Sequence, residues 1–134
     1  MFKAVIDVYY EDTDCGGVVY YANYLKYFER ARTQMLIHHG VNPAEWMKKG
    51  VVFTVVKAEV EYKAPAVYGD NLSVETKITR LKGARVSFSY RVMRNADGQA
   101  LVTGATDMAC VSEKMRPMPI PEEIMGRLSN IVEA

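Results

Sequence analysis

Apolar and polar residues follow two different periods along this chain, and the switch between them divides it. Tyr24, Leu25, Phe28, Ala31, Met35 and Leu36 recur at i, i+1, i+4, i+7, i+11 and i+12, one face of a 3.6-residue period. Lys26, Arg30, Thr33 and Gln34 fall largely elsewhere. Asn23 supplies a start signal and Gly40 a C′ stop, so the spacing predicts a helix of about four to five turns. Before it, Phe2 to Tyr10 is β-branched and aromatic and predicts a strand. Pro43 to Lys49 reads as a short second helix.

Farther on the period is two. Val56, Ala58, Val60 and Tyr62 alternate with Lys57, Glu59, Glu61 and Lys63, then the run 64–70 breaks the pattern with Pro65 and Gly69. Leu72, Val74, Thr76 and Ile78 form the next face, and Val86, Phe88, Tyr90 and Val92 another, with Lys82-Gly83-Ala84 as the turn between. Asn95-Ala96-Asp97-Gly98 is a hairpin turn, Gly98 suiting positive φ. Ala100 to Val111 is apolar on both faces and predicts a central strand; Pro117, Pro119 and Pro121 end the sheet, and Glu122 to Val132 reads as a short terminal helix. Connections this short permit only antiparallel neighbours. One apolar helix face and one apolar sheet face bury each other when the sheet curls around the helix, an α+β sandwich of residues 1–134 as a single domain.

Composition narrows the function classes. The chain is 49% apolar and 25% charged, with 17 Lys+Arg against 16 Asp+Glu, which excludes disorder and carries no nucleic-acid footprint. No run of eighteen apolar residues is present, and Asp7 and Asp12 fall inside any would-be signal core, so a cytoplasmic protein without membrane insertion is expected. Two cysteines, Cys15 and Cys110, make no disulfide framework.

The unusual place is the strand-to-helix junction, Asp12-Thr13-Asp14-Cys15-Gly16-Gly17-Val18-Val19-Tyr20-Tyr21. A helix amino end carries unpaired N–H groups and partial positive charge, which favours an oxygen that becomes anionic. A carboxylate beside such donors can act as nucleophile or general base on a carbonyl held there. The plainer reading is a capped turn closed by Asp12 or Asp14. A calcium loop fails, since Gly16 and Asn23 occupy its fifth and twelfth positions. A phosphotransfer Asp-x-Asp site wants a parallel α/β sheet. Cys15 has no His nearby in sequence and reads as a buried, inert thiol. His38 and His39 lie about 24 Å beyond the helix start at 1.5 Å per residue, too far to act there, and suit its carboxyl end. They and the two cysteines make no metal site.

The residues say more than their spacing. Tyr10-Glu11-Asp12-Thr13-Asp14-Cys15-Gly16-Gly17-Val18-Val19-Tyr20-Tyr21-Ala22-Asn23-Tyr24-Leu25, continued by Phe28-Glu29-Arg30-Ala31-Arg32, resembles the signature of the hot-dog-fold acyl-CoA thioesterases. The resemblance is to the hydroxybenzoyl-CoA thioesterase type and its bacterial relatives encoded beside the Tol–Pal envelope genes. Val60-Glu61-Tyr62-Lys63-Ala64-Pro65-Ala66 and Arg116-Pro117-Met118-Pro119-Ile120-Pro121 extend it over nearly the whole chain. One departure is Tyr21, where many relatives have His.

This resemblance implies an antiparallel sheet of about five strands wrapped around one long central helix. It implies that Asp14 is the catalytic carboxylate, Asp12 its structural neighbour, and the backbone N–H near Tyr21 the thioester carbonyl's donor. Gly17 and Tyr20 fall beside that site. It implies a homodimer joined edge to edge, pairing again into a homotetramer, with active sites between subunits, no cofactor beyond the CoA of the substrate, and basic groups holding CoA phosphates, for which Lys82, Arg85, Lys114 and Arg116 are the candidates. The expected activity is hydrolysis of acyl-CoA to free acid and CoA. A non-catalytic acyl-CoA-binding module is the alternative, and a dehydratase, with only Glu29 in its favour, a third reading.

Overall fold

A computed structural model describes residues 1–133. Five strands, β1 (Phe2–Asp7), β2 (Val51–Tyr62), β3 (Asn71–Lys82), β4 (Arg85–Arg94) and β5 (Ala100–Ser112), form one sheet in the order β1-β3-β4-β5-β2, every pair antiparallel. Three helices accompany it: α1 (Asn23–His38), α2 (Pro43–Lys48) and α3 (Glu122–Leu128). The α+β class and the five-stranded antiparallel sheet are as expected. One long central helix is not what the chain forms: α1 has 16 residues, and two short helices stand beside it.

α1 lays its apolar stripe on the sheet. Phe28 is fully buried and stacks on Tyr90 of β4 at 4.2 Å between ring centroids. Gly104 of β5 makes room for it, since a Cβ there would stand 2.5 Å from the Phe28 ring. The stripe is shifted from the expected one. Tyr27 is buried and Leu25 exposed, because Leu25 lies about 100° around the helix from Tyr24 whereas Tyr27 lies about 60° the other way. Gly40 ends the helix at φ +83, with Gly40 N–H bonded to the Ile37 carbonyl and Val41 N–H to that of Leu36. Asn23 does not cap: Ala22 occupies the cap position without a side-chain bond, and Asn23 Nδ2 donates instead to the Asp12 carbonyl at 2.8 Å.

β3 and β4 bury the faces their alternation predicted. β5, flanked by β4 and β2, is the central strand expected of a segment apolar on both sides. β1 stops at Asp7 and gives way to a single 3-10 turn, Tyr10–Asp12. β2 begins five residues before the alternation at Val56, and its predicted apolar face stays largely open, with Val56 and Tyr62 each 48% exposed. The reason is position. β2 is an edge strand paired only with β5, and a bulge between Val55 and Lys57 breaks its register.

Candidate active site

The segment between β1 and α1 is held as a tight turn on a second loop. Thr13 and Val19 face each other in an isolated bridge, the Asp14 N–H donates to the Val18 carbonyl at 3.0 Å, and Gly17, at φ +80, donates back to the Asp14 carbonyl. The turn docks on residues 64–70 through the Val19 N–H and Ala66 carbonyl at 2.8 Å. Asp12 ties the turn to the helix. Its carboxylate accepts the Tyr9 N–H at 2.9 Å, and its carbonyl accepts both the Tyr20 N–H and Asn23 Nδ2.

At the turn's tip the exposed Asp14 carboxylate accepts the Gly16 N–H at 2.8 Å through Oδ1, the Asx geometry of the plainer reading. Its second oxygen has no partner among the described residues. The carboxylate is nevertheless not isolated from the helix tip. Asp14 and Tyr21 line one open groove with Tyr24, Tyr62, Lys63 and Pro65. Along the approach to α1 the N–H groups of Tyr20, Asn23, Tyr24 and Leu25 all have carbonyl acceptors, whereas those of Tyr21 and Ala22 have none among the described residues. Two donors at a helix amino end are thus without acceptors among the described residues, and Tyr21, which carries one of them, shares its groove with Asp14.

Tyr62 and Lys63, at the end of the edge strand, were missed in the sequence, where alternation marks Tyr62 only as apolar. The Tyr62 hydroxyl donates to the Tyr21 carbonyl at 3.1 Å and its ring packs against Tyr21 and Tyr24. The Ala66 N–H donates to the Tyr24 hydroxyl at 3.1 Å. Burial pushes both phenols up from the ordinary tyrosine range, the Ala66 amide partly offsetting this at Tyr24. Burial pushes Tyr27 furthest, and the Asp12 carboxylate adds to it while lying outside hydrogen-bond geometry, so the Tyr27 hydroxyl has no partner.

Other expected residues fall elsewhere. Tyr20 is exposed and packs on Tyr21 at 4.6 Å, outside the groove, and Gly17 shapes the turn without lining it. Lys82 and Arg85 flank the β3–β4 turn, and Lys114 and Arg116 follow β5; Arg85 pairs with Ala109, while Lys63, in the groove, bonds to Leu101. Eight residues of β5 separate those ends, about 26 Å at 3.3 Å per residue, so one chain does not bring the four basic residues to Asp14. β1 pairs with the first half of β3, its end Asp7 against Asn71, which puts the β3–β4 turn at the opposite end of the sheet from the β1–α1 loop. His38 and His39 sit at the carboxyl end of α1, and burial together with the His38 charge lowers the His39 imidazole. Cys15 is exposed rather than buried, because it occupies the tip of the turn; Cys110 is the buried thiol, and burial pushes it up.

A second concavity lies at the other end of α1, between that helix, α2, α3 and the sheet. It encloses about 150 Å³ and is walled by Leu36, Val41, Phe88, Ile124 and Leu128 among others.

Comparison with known proteins agrees with the recognition of a thioesterase. Residues 8–128 match the thioesterase-like superfamily. The acyl-CoA thioester hydrolase YbgC of Escherichia coli O6:H1 is 42% identical over 127 residues, 94% of each chain. The acyl-CoA thioesterase YbgC of Haemophilus influenzae is 40% identical over 132 residues, 97% of this chain and 96% of that one. Among solved structures, the hypothetical protein TT1821 from Thermus thermophilus superposes with a TM-score of 0.92 at 34% identity, covering 98% and 99% of the two chains. Slr0204 of Synechocystis, a 1,4-dihydroxy-2-naphthoyl-CoA thioesterase, shares the fold at a TM-score of 0.90 and 24% identity, over 97% and 96%. With the family matched over most of its length and relatives similar nearly end to end, this chain belongs to the thioesterase-like superfamily.

Proposed function

We propose that the protein hydrolyses acyl-CoA thioesters to a free acid and CoA, with Asp14 as its carboxylate and the helix tip at Tyr21 as its oxyanion site. One observation carries this: the groove holding Asp14 is also lined by the residue whose N–H is left without an acceptor at the start of α1. A thioester carbonyl oxygen accepting from the Tyr21 and Ala22 N–H groups is polarised where negative charge develops. In one route Asp14 attacks the carbonyl carbon, the C–S bond breaks, the CoA thiolate leaves and takes up a proton, and water then opens the mixed anhydride. In the other Asp14 takes the proton of the attacking water and returns it to the departing sulfur. Rapid quench of a single turnover with acyl-labelled substrate separates them: acyl label held covalently on Asp14 supports attack, thiol release with no covalent label supports general base action, and absence of thiol release overturns the reading.

The exposed edge β2 supports a second copy as part of the site. Antiparallel pairing of two β2 strands about their midpoint carries the Lys82, Arg85, Lys114 and Arg116 end of one copy to the Asp14 end of the other, removing the 26 Å separation in position along the strand. A homodimer of this kind, doubling to a tetramer, is the proposed assembly, and acyl-CoA as substrate implies a cytoplasmic location; no helix among the described residues is long and apolar enough to cross a membrane. The finer kinship, to the hydroxybenzoyl-CoA type and the Tol–Pal-associated group, rests on the motif of residues 10–25. The Gly16–Asp14 bond favours the second reading, an acyl-CoA-binding module whose Asp14 is only a turn former. Binding of acyl-CoA without thiol release would establish it.

A further inference from the structure

We propose that the cavity under α2 and α3 is a binding site for an apolar group of about six to eight carbons that bears an anionic or acceptor end, the carbons inside and the polar end at Arg32. A pocket of about 150 Å³ accommodates a molecule of roughly benzene's size, which sets the carbon count. The polar lining residues are three, Glu29, Arg32 and Thr33, all on α1; Glu29 is exposed, as is Met47 of α2, which puts the open side of the pocket between those two helices. Val52 and Phe53, half-buried at the start of β2, line the same pocket. Arg32 is half-buried and makes no ion pair among the described residues, as Glu29 makes none. Its charge is felt by the Tyr90 phenol, which it draws down against the effect of burial. A half-buried guanidinium with no ion-pair partner among the described residues, lining a mostly apolar pocket, matches a carboxylate or carbonyl on a short chain or ring.

Binding here does not rest on the hydrolysis proposed at Asp14, and is measured in the Asp14→Asn protein so that no turnover enters. Octanoate and benzene are titrated while the methyl resonances of Leu36, Ile124 and Leu128 are followed. Both probes are expected to shift those methyls. Val52→Phe, which fills the pocket from a half-buried lining position, is expected to abolish both effects, and Arg32→Gln to weaken octanoate about tenfold while leaving benzene unchanged. Unmoved methyls with both probes, or binding undiminished by Val52→Phe, overturns the site; benzene binding with no octanoate binding overturns the ligand class. Turnover of acetyl-CoA and octanoyl-CoA in the Val52→Phe protein with Asp14 intact then identifies the source. Selective loss with octanoyl-CoA assigns the cavity to the substrate's own acyl group, and an equal effect on both assigns it to a free carboxylate.

Discussion

Arg94 is the side chain on which the groove's far wall hangs. From the end of β4 its Nε reaches Asp70 Oδ2 at 3.0 Å, Nη2 the Pro65 carbonyl at 2.8 Å, and Nη1 both Asp97 and Gln99 at 3.1 Å. Asp70 Oδ2 in turn accepts the Val67 N–H at 2.9 Å, so the guanidinium fixes both ends of residues 64–70. The Asp14 turn docks on that loop, through Ala66. Arg94→Ala removes all four contacts. The Asp97 contact is half exposed and contributes little; the bonds to Asp70 and Pro65, on a side chain 18% exposed, are worth roughly 1–2 kcal/mol each. A loss of about 2–4 kcal/mol lowers the melting temperature by roughly 6–14 °C for a domain of this size. Circular dichroism melting gives that number, and thiol release from an acyl-CoA gives the functional one, with turnover falling further than affinity because the turn bearing Asp14 loosens. Arg94→Lys, able to keep one bond but not the fork, falls between. A melting temperature within 2 °C of the parent for Arg94→Ala, set against the roughly 6–14 °C expected, would show that the loop is held by something else.

Four further outcomes follow from particular contacts. Gly104→Ala places a Cβ 2.5 Å from the Phe28 ring and costs about 1–3 kcal/mol in urea unfolding. Tyr27→Phe removes a buried hydroxyl that has no partner, so stability at pH 7 is unchanged or raised by up to about 1 kcal/mol. The same variant resists alkali better: the folded phenol is held neutral while the unfolded one ionises from about pH 10, so the parent loses stability as pH rises further and unfolds at lower pH than the variant. In thiol titration of the native protein Cys15 reacts and Cys110 waits for denaturant, the first being exposed and the second fully buried.

The strands after Asn71 were legible because one buried face imposes a period of two, and β3 and β4 keep it without interruption except at the bulge between Ile78 and Arg80. Gly40 and Gly98 were legible because positive φ leaves few other residues. β2 was legible as a strand but not in its start or its buried face, since an edge strand answers to one neighbour and exposes what an interior strand would bury. The Leu25 and Tyr27 exchange shows that two adjacent apolar residues do not say which way a helix is rotated; the sheet beneath decides. Asn23 had the chemistry of a cap, and the Asp12 carbonyl took its amide instead. At the site, the motif marked Asp14 and Tyr21, yet Tyr62 and Lys63 join them only through a crossover that carries β2 to the far edge of the sheet. The basic residues were chosen for charge alone, and charge carries no information about which end of a sheet a turn occupies.

Thiol release by the Asp14→Asn protein is the most direct test of a carboxylate and a helix tip sharing one carbonyl. Asparagine keeps the shape and an oxygen for the Gly16 N–H, so the fold and its melting temperature should hold while turnover falls by about a thousandfold or more. Turnover within a few-fold of the parent, in protein that melts normally, would contradict the account.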